Sequence, residues 1–136
     1  ASPTNSIATT YRIVAPDRLA YVTSAGDEAV VVGARRWDRP SASARWVESP
    51  QDRLRLPALD WVRAASPSLL GEGVVGGRPV WRVGFADPTV PAWFEVAIEK
   101  RTHRQLRVRM VAAAHFMTRD YGGFDRPLTI RPPTRR

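Results

Sequence analysis

Few residues in this sequence could carry out chemistry. Its only histidines are His103 and His115, and it contains no cysteine. His115 stands two residues before Met117, and a His-x-Met pair on one face of a strand offers the imidazole and thioether ligands that suit Cu(I). By strict alternation Met110 would lie on the opposite face, and two ligands are too few for a tight site. His115 and Met117 are therefore weak metal candidates, and a structural histidine near a sheet edge is the alternative.

The sequence offers no catalytic constellation. It contains no Gly-x-Ser-x-Gly, no phosphate-binding glycine-rich loop ahead of a helix and no His-Glu-x-x-His. The aspartates are scattered and mostly border predicted turns. The lack of cysteine excludes disulfides, thiolate zinc sites and cysteine nucleophiles. We therefore nominate no catalytic residue and predict a protein that is not an enzyme and uses no cofactor.

The charge balance bears on the partners of the chain. Lys and Arg number 21 against 13 Asp and Glu, which gives a formal net charge of +8. Nucleic-acid binding is the first interpretation of such a balance. However, no basic run exceeds two residues, and Arg107 and Arg109 fall on the predicted solvent face of a strand. The sequence therefore favours an anionic membrane surface over nucleic acid, and a protein partner remains an alternative.

The elements that would position these residues are mostly strands. Apolar residues recur at every second position in Trp81, Val83 and Phe85, and again from Leu106 to Phe116, which predicts strands with one buried face. The second run is longer than an ordinary strand and predicts a curved sheet. Short turns between successive runs predict an antiparallel meander. Together with the long run from Leu106, the predicted strands span residues 6–15, 18–24, 29–38, 44–49, 71–75, 79–86, 92–98 and 128–130.

One short helix is predicted from Pro57 to Ala65 and would pack on the sheet. Pro57 suits a first helical turn, and Leu59 and Val62 share a face with Ala65. The chain is expected to form a single domain, 1–136, in which residues 1–6 are a linker or trimmed terminus. No run of eighteen apolar residues occurs, so the sequence predicts no membrane span.

The aromatic residues exceed what one helix can cover. Five Trp, four Phe and three Tyr are present, and they either fill the core or line a concave apolar face. The fold class predicted is therefore mainly β: a curved antiparallel meander sheet with one short helix packed on it. Alternation predicts that ten apolar side chains point to the concave face, and we predict that they bind the ligand. They are Trp81, Val83, Phe85, Phe94, Val96, Ile98, Leu106, Val108, Met110 and Phe116.

Several short patterns are spread, in order, over most of the chain. They are Tyr11–Tyr21, Arg35–Trp37, Trp46, Phe85–Pro88, Trp93–Val96, Glu99–Leu106 and Tyr121–Pro133. Their order and spacing resemble the lipoprotein-carrier superfamily, which comprises the LolA/LolB-like periplasmic carriers and the LppX/LprG lipoproteins. In that group an acid-x-x-Thr-Gly hairpin leads to a long strand and a Tyr-x-x-Phe-x-x-Pro ending. Here His103 stands where the hairpin often carries glycine.

The resemblance implies a half-open barrel whose hollow holds acyl chains of lipids or lipoproteins. It also implies an extracytoplasmic location, in the periplasm or on the outer face of the cytoplasmic membrane, as a fragment of an anchored protein. The leading hypothesis is that the concave face binds a lipid, an acylated protein or another apolar ligand. The alternative is an interaction or sensor module of a larger envelope or membrane protein, including a copper-handling one, with no bound lipid.

Overall fold

The computed structural model describes residues 6–56 and 64–134. These residues form ten strands and no helix, and the strands are arranged as two five-stranded antiparallel sheets. Two compact units contain them: residues 6–56 with 127–134, and residues 64–126. The prediction of a mainly antiparallel β protein with meander order is confirmed. The prediction of one continuous sheet is wrong, because β5 and β6 do not pair.

The first sheet is a meander in chain order. Its strands are β1 Thr9–Val14, β2 Arg18–Thr23, β3 Glu28–Val32, β4 Arg35–Arg39 and β5 Val47–Pro50. Gly33 turns the chain between β3 and β4 with a φ of +61°, a conformation that glycine adopts without steric cost. Residues 35–38, predicted to extend the third strand, therefore form a strand of their own. Buried Ala20 and Trp37 share one face of the sheet.

The segment that follows residue 127 belongs to the same unit. The strand predicted over 128–130 is absent, so that prediction is wrong. Ile130 is nevertheless buried, and its carbonyl accepts a hydrogen bond of 2.7 Å from Arg18 Nη1. A buried side chain and one guanidinium, rather than a strand ladder, hold this segment.

The second sheet is also a meander. Its strands are β6 Ala65–Val75, β7 Arg78–Asp87, β8 Ala92–Glu99, β9 Gln105–Ala112 and β10 His115–Asp120, with β6 and β10 at the two edges. Gly76 and Gly77, both with positive φ, form the turn between β6 and β7, as expected between the strands predicted over 71–75 and 79–86. Trp81, Val83 and Phe85 alternate along β7 as the sequence indicated.

The long strand predicted from Leu106 is a hairpin instead. β9 ends at Ala112, the chain turns at residues 113–114, and β10 returns antiparallel with Val111 opposite Phe116 and Met110 opposite Met117. The prediction was wrong because alanines give no turn signal and the apolar alternation continues through them. Because the turn has two residues, the face that carries even-numbered residues on β9 carries odd-numbered residues on β10.

A buried carboxylate anchors the connection between β8 and β9. Glu99 is 5% exposed, accepts a hydrogen bond from the Thr102 hydroxyl and lies 3.9 Å from Arg78 Nε. The backbone N–H of His103 donates to the Glu99 carbonyl. His103 has a φ of +55°, so it adopts the left-handed conformation that explains why glycine suits this position.

The predicted helix falls on residues 57–63, which lie outside the described residues, and Ala65 at its predicted end begins β6. None of the described residues belongs to a helix long and apolar enough to cross a bilayer.

The second sheet has a small apolar cluster on each face. Phe85, Val96 and Val108 form one cluster. Val80, Ala97 and Leu106 form the other, and Val75 and Phe124 pack against it. Both faces of this sheet therefore contribute to its stability through buried apolar area.

Leu106→Ala tests whether the second cluster stabilises the unit. Leu106 is 3% exposed, and its truncation should lower the free energy of unfolding by about 3 kcal/mol. Leu69 is 63% exposed, so Leu69→Ala should change it by less than about 0.5 kcal/mol. Urea unfolding followed by circular dichroism measures both. Equal effects of the two substitutions would contradict the burial assigned to Leu106.

Candidate functional site

One face of the second sheet gathers most of the predicted ligand-binding residues. Cross-strand pairing places Phe85 opposite Phe94, and Val83, Val96 and Val108 opposite one another. Residues directly opposite in an antiparallel pair share a face. We call this the apolar face. It carries eight of the predicted residues: Trp81, Val83, Phe85, Phe94, Val96, Ile98, Val108 and Met110.

The centre of the apolar face is closely packed. Phe85, Val96 and Val108 are each 5–6% exposed, and the Phe85 and Phe94 rings stack with centroids 5.3 Å apart. Ala64 and Tyr121 also pack against this cluster. The centre is therefore filled by the chain itself, and free apolar surface is confined to the flanks.

Leu106 and Phe116 do not share the apolar face, so that part of the prediction is wrong. The register shifts between Ala97 and Ile98, which face Arg107 and Gln105 and leave Leu106 unpaired in a β-bulge. The bulge turns Leu106 towards Val80 and Ala97 on the opposite face. Phe116 lies opposite Val111, on that same opposite face, and is 68% exposed.

Edge strand β6 adds two apolar residues that the sequence interpretation missed. Leu69 lies opposite Val83 and is 63% exposed, and Val74 lies opposite Pro79 and is 69% exposed. Both are therefore on the apolar face. Ser66, Pro67 and Ser68 gave a signal typical of a chain break, which hid the first half of β6. A period-two comparison with the well-marked strand β7 would have found Leu69.

A cation lies beside this exposed apolar edge. The Lys100 ammonium is 4.0 Å from the centroid of the Trp81 ring, a cation–π arrangement. Lys100 also forms an ion pair with Glu72, which lies opposite Trp81 on the same face. The flank of the apolar face therefore combines exposed aliphatic side chains with a partly exposed ammonium.

The metal candidates His115 and Met117 lie at the other edge. Both are on the apolar face, since His115 is opposite Ala112 and Met117 is opposite Met110. The prediction that Met110 lies on the other face from Met117 is wrong, because the turn at residues 113–114 reverses the parity. Arg119 Nη2 lies 3.6 Å from Met117 Sδ. Among the described residues no three His, Cys, Asp or Glu side chains gather as metal ligands.

The opposite face carries two arginine–carboxylate pairs. Arg82 donates to Glu95 through Nε and Nη2, at 2.8 and 3.0 Å, and Arg107 donates through Nη2 to Asp120 at 2.9 Å. These hydrogen bonds lower the pKa of Glu95 and of Asp120 below their ordinary values. Both carboxylates are therefore held ionised, which suits ion pairing rather than acid catalysis.

Polar side chains on the first sheet are similarly paired. Arg36 donates to Asp38 at 2.7–2.9 Å and to the Tyr21 hydroxyl at 2.8 Å, and the bonds to Asp38 raise the pKa of Arg36. Trp37 Nε1 donates to Glu48 at 3.2 Å. The described part of this sheet, which contains neither histidine, presents charged side chains in ion pairs, and the Thr23 hydroxyl donates to the Asp27 carboxylate at 3.1 Å.

Two open depressions also lie on the first sheet. One is lined by Arg35 and Glu48 among others, and the second by Tyr21, Asp38 and Arg39. Neither is lined by a residue of the apolar face.

No family model, no curated protein and no solved structure matches this chain.

Glu95→Gln tests the ion pair with Arg82. Because folding lowers the pKa of Glu95 from its ordinary 4.5, the pair stabilises the folded state above that pH, and this is lost as the pH falls through the lowered pKa. The substitution should reduce the free energy of unfolding at neutral pH by less than about 1 kcal/mol. Urea unfolding at a series of pH values measures this. A deficit that persists unchanged in strong acid would contradict the assignment.

Proposed function

We propose that this chain is a non-enzymatic, extracytoplasmic binding module that takes an apolar or amphipathic ligand, such as a lipid or an acylated protein, on the apolar face. The observation that carries the proposal is the cross-strand alignment of eight apolar residues across β7, β8 and β9. An aligned apolar face with exposed flanks is the surface that an apolar ligand requires.

The exposed edge of β6 is where such a ligand would bind. The centre of the face is filled by Phe85 and its neighbours, whereas Leu69 and Val74 expose about two thirds of their area. An acyl chain laid along β6 would cover these two side chains and Val83. An exposed edge of this kind holds its ligand less tightly than an enclosed cavity, because less of the ligand leaves water.

Lys100 gives this edge a preference for ligands with an anionic end. Its side chain is 29% exposed and pairs with Glu72, whose side chain is 61% exposed. An incoming carboxylate or phosphate can replace Glu72, because an exposed ion pair contributes little free energy. The ligand class supported is therefore an amphipathic acid with an acyl chain.

The resemblance to lipoprotein carriers supports the same ligand class. The half-open barrel and the location outside the cytoplasmic membrane remain parts of the proposal. The alternative is an interaction or sensor module of an envelope protein, in which a protein segment covers the exposed edge of β6 in place of a lipid.

Leu69→Ser tests the proposed ligand edge. Removing this leucine should weaken uptake of a fluorescent fatty acid about tenfold, because the ligand loses most of one aliphatic contact. Phe116→Ser is the matched control: Phe116 is equally exposed but lies on the opposite face, so uptake should not change. Native mass spectrometry of protein from a lipid-containing host should show co-purifying lipid. No lipid and no uptake, or equal losses in both variants, would overturn the proposal.

A second candidate function is Cu(I) binding, and one observation favours it. Met110 and Met117 are directly opposite each other, and His115 lies on the same face two residues from Met117. Two thioethers and one imidazole form a soft ligand set that suits Cu(I). Arg119 would have to leave the Met117 sulfur before the ion could bind, because a guanidinium there repels a cation.

Competition with a Cu(I) chelator tests this second candidate. Met117→Leu and His115→Gln should each abolish binding, since each removes one of three ligands. Met-to-Leu exchange nearly conserves volume, so the fold should persist. His103→Asn is the control, because His103 lies in the β8–β9 turn, away from both methionines in the register, and asparagine tolerates its positive φ. Wild-type binding no stronger than background, or an equal loss in His103→Asn, would exclude the site.

A further inference from the structure

An aromatic stripe crosses the opposite face of the second sheet at one end. Trp93 lies opposite Val111, and Val111 lies opposite Phe116, so three adjacent strands align these side chains. Their exposed fractions are 42%, 55% and 68%. We define the aromatic stripe as Trp93, Val111 and Phe116 together with Leu70, which is 41% exposed. Contiguous exposed apolar side chains of this kind mark an interaction surface.

Gly84 gives the Trp93 ring its position. A Cβ atom on Gly84 would clash with the six-membered ring of Trp93 and would come within 3.0 Å of Leu70 Cδ1. The indole and Leu70 therefore lie over the backbone of β7 at Gly84. A glycine in a strand interior weakens the strand unless another group uses the space it leaves. Here Trp93 and Leu70 use that space, and the stripe extends towards β6.

The end of the sheet that carries the stripe is free of charge over two stretches. Residues 88–94 and 110–117 contain no Asp, Glu, Lys or Arg. They include the β7–β8 connection, where Val90 is 44% exposed, and the turn at residues 113–114. Both connections lie at the same end of the sheet as Trp93 and Phe116, since each adjoins one of these residues in the register.

Arginines border the stripe on the same face. Arg109 is exposed and lies two residues from Val111, opposite Glu95. Arg82 and Arg107 follow, each paired with a carboxylate. Residues 64–126 contain nine Lys or Arg against six Asp or Glu, and the chain as a whole has a net charge of +8. An uncharged aromatic tip backed by arginines complements an anionic bilayer, in which aromatic rings lie at the headgroup level and basic side chains contact lipid phosphates.

We propose that this end of the second sheet docks on an anionic phospholipid bilayer. Trp93, Val111 and Phe116 enter the interface, and Arg109 contacts the headgroup phosphates. A second copy of the chain is a poorer occupant, because the three arginines that border the stripe outnumber the two carboxylates beside them, Glu95 and Asp120, and two such surfaces would therefore repel each other. The proposal does not rest on the ligand site of the apolar face, since the two surfaces lie on opposite sides of the sheet.

Co-sedimentation with vesicles tests the docking surface. The wild-type chain should bind vesicles of phosphatidylcholine mixed with phosphatidylglycerol in low salt, and much less well those of phosphatidylcholine alone. High salt should weaken this binding, because the arginine contribution is screened. Phe116→Ser should weaken it about tenfold by removing most of one buried ring. Arg109→Gln should weaken it about fivefold for anionic vesicles.

Leu69→Ser is the matched control, because Leu69 is as exposed as Phe116 but lies on the other face. It should leave vesicle binding unchanged, whereas it should impair fatty-acid uptake, so failure of one proposal is distinguishable from failure of the other. No binding to anionic vesicles, equal binding to neutral ones, or an equal loss in Leu69→Ser would overturn the docking proposal. A dimer in solution that Phe116→Ser dissociates would also overturn it, since the stripe would then be a self-interface.

Discussion

The cross-strand register of β7, β8 and β9 is the constraint on which the second sheet depends. Val83, Val96 and Val108 lie opposite one another, and because side chains alternate, each such pair fixes the face of every residue on its strand. A slip of one residue would expose Phe85 and bury Arg82. The bulge at Leu106 is the one place where β9 departs from alternation, and it lets this strand supply Leu106 to one cluster and Val108 to the other.

The sequence predicts strands and turns correctly where the apolar alternation and the residues typical of turns agree. β7 and β8 carry apolar residues at every second position, and Gly76 and Gly77 mark the turn before β7. The sequence does not predict a turn whose residues are not typical of turns. Residues 113–114 are alanines, so the sequence predicts one continuous strand in place of β9 and β10. Because the turn reverses the parity of the positions on each face, Phe116 lies off the apolar face and Met117 lies opposite Met110.

Two further differences have the same kind of cause. A bulge depends on how the partner strand pairs, which one chain segment cannot reveal, so Leu106 was assigned to the wrong face. Ser66, Pro67 and Ser68 are typical of a loop, so the sequence does not predict the start of β6 and does not place Leu69 and Leu70, both exposed and apolar, on a strand. The sequence alternation therefore assigns some residues of the candidate surfaces to a face, whereas the others can be assigned only from the strand pairing.

The register also separates two kinds of surface on one sheet. The apolar face has a filled centre and an exposed edge beside Lys100, whereas the opposite face has paired charges between a buried cluster and the aromatic stripe.

Nuclear Overhauser effects between backbone protons test this register most directly. We expect cross-strand contacts between Val111 and Phe116 and between Met110 and Met117. Their absence, with a continuous extended pattern through residues 113–114, would contradict the account and return Phe116 to the face of Val108.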